Sequence, residues 1–273
     1  MAIVTISRQV GSLGDEIAQA LAEDLGYRLV GEEDHHLLAG KYDPEFSEKL
    51  EKFEKEQGPG FFERLFFSTP VYLSLYQALV YELAGERQVV ILGRGAQIVL
   101  KDIHQVYRVR VVAPMDCRVE RISRTKDMNI EMARDFVKKY DHRRRALIRQ
   151  VFDQDPMDFK LYDMLLNTYR MDMAAGVAVI KSAVEEVRRL QPVEEATNIL
   201  MALALGKRVE AKIRTEFPGR EIEVKGELNG LMLITGELPS RDDCRAAEMI
   251  ALAYPGVTGV VNHLRTTTFA YGF

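Results

Sequence analysis

A chain of 273 residues, 47% hydrophobic and 29% charged, has the balance of an ordinary globular protein and room for two folding units, which excludes a disordered or fibrous chain. A formal net charge of −4 argues against an electrostatic nucleic-acid binder, while leaving room for a local basic cluster around a small phosphate ligand. The two cysteines, Cys117 and Cys244, have neither CxxC spacing nor companions at metal-ligand spacing, so no disulfide framework is expected. There is no basic-then-apolar leader and no apolar run of about 18 residues, so a cytoplasmic protein without an integral membrane segment is expected.

In chain order, Ala2 to Ile6 is a β-branched run that meets the turn Gly11-Ser12-Leu13-Gly14 and then a helical pattern through Leu25, reading as strand, loop, helix. Tyr27 to Val30 suits a second strand, Pro44 to Glu56 a charged helix, Gly58-Pro59-Gly60 a break and Phe61 to Leu83 a core helix. Gln88 to Leu92 is an apolar strand closing on Gly93-Arg94-Gly95, and Val106 to Val112 is another strand, followed by a helix from Pro114. Asn129 to Phe152 is a long basic helix carrying Asp141-His142-Arg143-Arg144-Arg145; a strand at Tyr162 to Leu166 and a helix at Asp172 to Arg189 follow. Strands alternating with helices imply a parallel sheet with helices on both faces.

Gln191-Pro192 is a joint between units, giving an expected division into residues 1–190 and 191–273. Beyond it, Val193 to Phe217 is helical, Glu221 to Lys225 and Leu231 to Thr235 are strands around Leu228-Asn229-Gly230, Ser240 to Ala253 is helical and Val257 to Leu264 is a strand. The second unit is therefore a small α+β module. His35 and His36 are adjacent with no third ligand at metal spacing, so no metal site is expected there.

A glycine-bearing loop between a strand and a helix lets backbone N–H groups and the helix dipole converge on phosphate, and Ile6 to Ile17 has that layout. A complete phosphate loop reads GxxxxGK[ST], its lysine neutralising phosphate and its hydroxyl binding magnesium. This loop has neither. Arg94 follows an apparent strand, at the edge where open α/β sheets bind ligands, and Arg8 is placed likewise after the first strand, with a planar donor fork suited to phosphate.

Ile6-Ser7-Arg8-Gln9-Val10-Gly11-Ser12-Leu13-Gly14 resembles the opening of the cytidylate kinase-like family. Val90-Ile91-Leu92-Gly93-Arg94-Gly95-Ala96 is similar to its strand ending in GRGA, and Leu161-Tyr162-Asp163-Met164-Leu165-Leu166-Asn167-Thr168 resembles its YDLVLNT segment. With the Asp141 to Arg145 cluster, the likeness covers residues 1 to 188. In register with a bacterial cytidylate kinase loop, Gly14 stands in the lysine's place and Glu16 in the hydroxyl's. Leu13 replaces a glycine usual in the family, and Asp15 an arginine or histidine.

The resemblance implies a three-layer, parallel-sheet, P-loop kinase-like α/β domain that transfers a phosphoryl group from a nucleoside triphosphate, ATP with Mg2+, to a nucleoside monophosphate such as CMP or a related acceptor. It implies that Gly11, Ser12 and Gly14 hold donor phosphates, that Arg8 and the lid arginines Arg143, Arg144 and Arg145 serve catalysis, with Arg149 a turn later, and that Arg94 and Asp163 contact the acceptor. Consecutive helical arginines point in different directions, so not all of them face one ligand. The missing lysine and hydroxyl keep a second reading open, a catalytically degenerate nucleotide-binding sensor or scaffold. Gly230 to Ser240 followed by Tyr254 to Asn262 resembles the BON domain over residues 205 to 268, which implies a module that binds a partner, a lipid or another copy of the chain.

Overall fold

The computed structural model describes residues 2–31, 34, 40, 70–190 and 194–267. The helix expected at 44–56, the break at 58–60, the first part of the helix expected from 61, the pair His35 and His36 and the joint at 191–192 lie outside the described residues.

The first unit runs β1 (Ile3–Arg8), α1 (Gly14–Leu25), β2 (Arg28–Val30), α2 (Pro70–Gly85), β3 (Val89–Leu92), α3 (Ala96–Val99), β4 (Val106–Val112), α4 (Met115–Thr125), α5 (Ile130–Phe152), β5 (Met164–Asn167) and α6 (Met173–Leu190). The five strands form one parallel sheet in the order β2-β3-β1-β4-β5. Because successive side chains of a strand point to opposite faces, each β-branched run feeds two cores. Val4, Ile6 and Val90 meet Ile17 and Leu21 of α1 and Ile180 and Val184 of α6. Ile3, Val89 and Ile91 meet Leu79 and Leu83 of α2 on the other face. The expected helix, sheet, helix layering is present, and β1 lies at its centre with the loop at its carboxyl end.

Asn129 begins α5 as the sequence indicates, its side chain accepting from the Met132 amide at 2.8 Å. That helix crosses from Val119 and Ile122 of α4, packed against its Ala133 and Val137, to the carboxyl edge of the sheet, where Ile148 meets Ile98, Leu161 and Tyr162.

The second unit comprises α7 (Glu194–Glu216), β6 (Ile222–Gly226), β7 (Leu231–Leu238), α8 (Arg241–Leu252) and β8 (Gly259–Thr266), its sheet ordered β6-β7-β8. β6 and β7 are antiparallel, and β7 and β8 are parallel with α8 as the crossover. Val209, Ile213, Val224, Met232 and Ile234 are among its core residues. α7 belongs to both units. Its Leu200 joins the core formed by α2 and β3, Arg208 pairs with Glu82 at 2.7 Å, and Glu210, 1% exposed, links the two. The Glu210 carboxylate accepts from Ser74 Oγ of α2 at 2.7 Å and from the Val224 amide of β6 at 2.9 Å, with Lys207 at 2.7 Å and Arg214 at 3.2 Å. A division before residue 191 therefore falls ahead of a helix that both units share.

Candidate functional site

The loop after β1 is braced from below. The Ser12 hydroxyl donates to the Gln9 carbonyl at 2.7 Å and lies 3.2 Å from the Val111 carbonyl oxygen, so it is turned into the fold, and the Ser12 amide also donates to the Gln9 carbonyl, at 3.2 Å. Arg121 donates to the Gly11 carbonyl at 3.3 Å and to Thr168 Oγ1 at 2.9 Å, and Thr168 Oγ1 donates to the Ser12 carbonyl at 2.8 Å. Arg118, 3% exposed, donates to the Ala113 and Val10 carbonyls and pairs with Asp141 of α5 at 2.8 Å. These contacts hold the amino end of α1 open. No side chain caps it, and its first internal bond is from the Ile17 amide to the Leu13 carbonyl at 2.9 Å. The preceding amides therefore lack helical acceptors and form an anion-binding end. Leu13 itself is left-handed, with φ 66°, the conformation that a glycine at this place adopts without strain.

Gly14 and Arg8 interlock. A Cβ on Gly14 would lie 2.3 Å from Arg8 Cβ and 2.8 Å from Arg8 Cγ, so the arginine stem fills the space through which a loop lysine would leave the backbone. Arg8 Nε and Nη2 both donate to Asp15 Oδ1, at 3.0 and 2.7 Å. Its remaining nitrogen turns to Gly93.

Gly93, Arg94 and Gly95 have φ values of 78°, 61° and 74°, three successive left-handed residues after β3. The Tyr76 hydroxyl of α2 donates to the Arg94 carbonyl, and the Gly93 amide donates to the Ile6 carbonyl of β1 at 2.8 Å. A Cβ on Gly93 would lie 2.3 Å from Arg8 Nη1 and 2.4 Å from Arg144 Nη2, so two guanidinium groups share the small space over this turn. Burial, and then the charge of Arg8, push Arg144 down to about 10, with Arg94 and Arg110 adding to the repulsion. An arginine so placed is still a cation at neutral pH, and positive charge is concentrated at the carboxyl edge of the sheet.

The other expected residues divide. Arg145 and Arg149 turn away to Asp155, at 2.5 and 2.6 Å, and these hydrogen bonds, with one from the Met157 amide, hold the Asp155 carboxyl well below the usual carboxylate range. Arg143 is half-buried, with no hydrogen bond or ion pair among the described residues. Asp163 stands just before β5, its carboxylate accepting from Arg108 Nη2 at 2.7 Å, Arg108 Nε at 3.0 Å and the Arg108 amide at 2.9 Å. Arg108 is level with Thr5 and Arg8 with Val111, so Asp163 lies about 10 Å lower on the sheet than the loop and is not brought to Arg94. Arg110, Arg118 and Arg121 were missed from the sequence. For Arg110 the available signal was a charge in the middle of a strand read as buried.

The open amides of α1 fit the phosphates of a nucleoside triphosphate. The fit for magnesium is poor: among the described residues no three His, Cys, Asp or Glu side chains stand together, Ser12 Oγ faces inward, and Asp15 is taken by Arg8. In the second unit, Arg241, Cys244, Arg245, Leu264, Arg265 and Thr266 line an open cleft of about 450 Å³. Both cysteines are free thiols.

A parallel sheet that delivers an uncapped helix end and a set of arginines to one edge defines an α/β protein with a phosphate-binding edge. The sequence profile of the cytidylate kinase-like family matches residues 3–170, and the chain belongs to that family. It is 25% identical over 197 residues to a cytidylate kinase of Methanopyrus kandleri, covering 67% of this chain and 93% of that one. It is 27% identical over 182 residues to a cytidylate kinase of Natronomonas pharaonis, covering 67% and 88%. A solved structure of an uncharacterized protein from Eubacterium ventriosum shares the fold, with a TM-score of 0.53 and 19% identity over 68% of this chain and 99% of that one. Among the described residues no helix is long and apolar enough to cross a membrane.

Proposed function

We propose that this chain transfers a phosphoryl group from a nucleoside triphosphate to a nucleoside monophosphate such as CMP or a related small acceptor. The observation that carries the reading is the meeting of Arg8 Nη1 and Arg144 Nη2 over Gly93, beside the open amino end of α1. In such a transfer the bond from the γ-phosphorus to its bridging oxygen breaks as a bond from an acceptor oxygen forms, and the protein's part is placement and charge stabilisation. The amides of the Gly11 to Gly14 turn hold the donor phosphates, that of Ser12 only if its bond to the Gln9 carbonyl opens, Arg8 and Arg144 offset charge on the group in transit, and Arg94 receives the acceptor. Magnesium, where ATP brings it, neutralises phosphate charge; among the described residues no side-chain ligand set stands ready for it. Arg145 takes part only if its pair with Asp155 opens, and Asp163, just before β5, fixes Arg108 of β4. The setting is the cytoplasm, and the second unit is a BON-like module whose arginine-lined cleft receives a partner, a lipid or another copy of the chain.

A second reading has its own observation. Arg8 is already paired with Asp15 at 2.7 Å, and no side chain can be added at Gly14 without displacing Arg8. Those facts favour a nucleotide-binding sensor or scaffold that has lost turnover. Incubation of the purified chain with ATP, Mg2+ and CMP separates the two: equal amounts of ADP and CDP support the kinase, and saturable ATP binding in calorimetry without turnover supports the sensor. The absence of both overturns each.

A further inference from the structure

Arg110 is a charge in an unusual place. It lies on β4 between β1 and β5, is 7% exposed and stands opposite Ser7 in the sheet register. Its Nη1 donates to Ser7 Oγ at 2.6 Å, its Nη2 lies 3.9 Å from Met157 Sδ, and its guanidinium carbon is 5.7 Å from the centre of the Tyr162 ring. Its Nε is buried with no hydrogen-bond partner among the described residues. No carboxylate forms an ion pair with it among the described residues. The aspartate it senses, Asp141, is paired with Arg118 at 2.8 Å. Burial lowers its proton affinity; Tyr162 and Asp141 offset part of this, and the charge of Arg118 adds to it.

A guanidinium taken out of water without a counter-charge is destabilising, and buried charges are ordinarily paired or bound to a ligand. Here the surroundings worsen the imbalance. Arg8 follows Ser7 directly on β1, and Arg144 is repelled by Arg8, Arg94 and Arg110 together. Among the described residues, Asp15, which faces Arg8, and Asp141, which acts on Arg110, are each engaged by one arginine, Arg8 and Arg118. A set of cations that repel one another around one turn is the unliganded half of an anion site.

We propose that Arg110 is the floor of a phosphate site, and that with Arg8 and Arg144 it holds a phosphate dianion above Gly93. The inference rests on the kinase reading only in naming that dianion as the phosphate of a nucleotide; inorganic phosphate shares the chemistry. A purely structural arginine, kept to join β1, β4 and Tyr162, behaves differently when removed.

The test uses the full chain, thermal unfolding with inorganic phosphate against chloride at equal ionic strength, and the variants Arg110→Met and Arg110→Lys. Phosphate should raise the wild-type melting temperature. Arg110→Met should melt no lower than wild type without phosphate, because an unpaired buried charge has become an apolar side chain of similar length, and should need at least about tenfold more phosphate for the same shift. Arg110→Lys, which keeps the charge, should retain part of the response. CMP and cytidine distinguish the source of the dianion: stabilisation by CMP and not by cytidine assigns it to a phosphomonoester, and a response to inorganic phosphate alone assigns it to the free anion. The proposal is overturned if phosphate has no effect on wild type, if it stabilises Arg110→Met as strongly as wild type, or if both variants melt far below wild type without phosphate. Turnover is scored separately. A phosphate response without CDP formation removes the kinase reading alone, whereas CDP formation with an unchanged KM for CMP in Arg110→Met removes this proposal alone.

Discussion

Exchanging Arg8 and Gly14 tests whether the arginine stem occupies the volume that a loop lysine needs. The atoms closest to an added Gly14 Cβ are Arg8 Cβ at 2.3 Å, Arg8 Cγ at 2.8 Å and Val111 Cβ at 3.3 Å. The first of these moves only with β1, so no rotamer of Arg8 relieves it, and Gly14→Lys should cost about 1–3 kcal/mol as an overpacked site. Arg8→Gly should cost about 0.5–1 kcal/mol for the freedom gained in the strand. A further loss of about 0.2–1 kcal/mol comes from the pair with Asp15, a small amount because Asp15 is 55% exposed. The double exchange removes the overlap, so its stability should lie close to that of Arg8→Gly and above the additive sum by about 1–3 kcal/mol. The lysine should also tighten ATP by about 1.5–3 kcal/mol, or ten- to a hundredfold, relative to Arg8→Gly. Urea unfolding of the four proteins and titration calorimetry with ATP and Mg2+ measure both quantities. Additivity within about 0.5 kcal/mol, or a Gly14→Lys protein as stable as wild type, would refute the reasoning.

Arg94→Ala should weaken CMP binding about ten- to a hundredfold by removing a charge-assisted contact, while the bond from Tyr76, which is to the Arg94 backbone carbonyl, is retained; an unchanged CMP titration removes Arg94 from the acceptor site. Glu210→Ala should destabilise by about 1–3 kcal/mol, since it removes the buried acceptor of the Val224 amide and the Ser74 hydroxyl and the counter-charge of Lys207 and Arg214, and calorimetric melting should broaden or split as the two units lose their tie. Burial, with help from Asp102, Glu210 and Glu223, lifts the Tyr81 hydroxyl to about 12. A folded-state value above the unfolded one of about 10 gives stability that is complete below pH 10 and lost as pH rises through about 12. Tyr81→Phe should therefore flatten the alkaline decline by about 1–2 kcal/mol in urea unfolding between about pH 9 and 11.5, and an identical decline in both proteins would assign it elsewhere.

Much of the fold was legible because the signals are local. Strand runs such as Val106 to Val112, the Asn129 cap of α5 and the Ser240 cap of α8, whose hydroxyl accepts from the Asp243 amide at 3.1 Å, each act within a few residues. The loop and the Gly93 to Gly95 turn were legible for the same reason. What the site does with its charges was not, since it depends on approaches between distant segments: Arg8 over Gly14, Arg144 over Gly93, Arg118 to Asp141. Asp163 is a case where sequence likeness and position point in different directions. The family segment it sits in implies an acceptor contact, while its place before a strand sets it at the amino end of β5, away from the edge where parallel sheets bind ligands, with its carboxylate on Arg108. The helix register that carries Arg144 inward and Arg145 out to Asp155 follows from where α5 lies on the sheet, which no spacing within the helix reveals.

The seat of Leu200 in the core beneath α2 and β3 has a consequence for synthesis. Every strand of the first sheet leaves the ribosome before α7 does, so Leu79, Leu83 and Val89 are laid down while one of their packing partners has yet to be made. At roughly 5–20 residues per second, the interval between the end of β3 and the arrival of α7 is on the order of ten seconds. During it the nascent sheet shows an apolar seat to chaperones and to neighbouring chains, and a helix made after every strand of that sheet is the part that covers it.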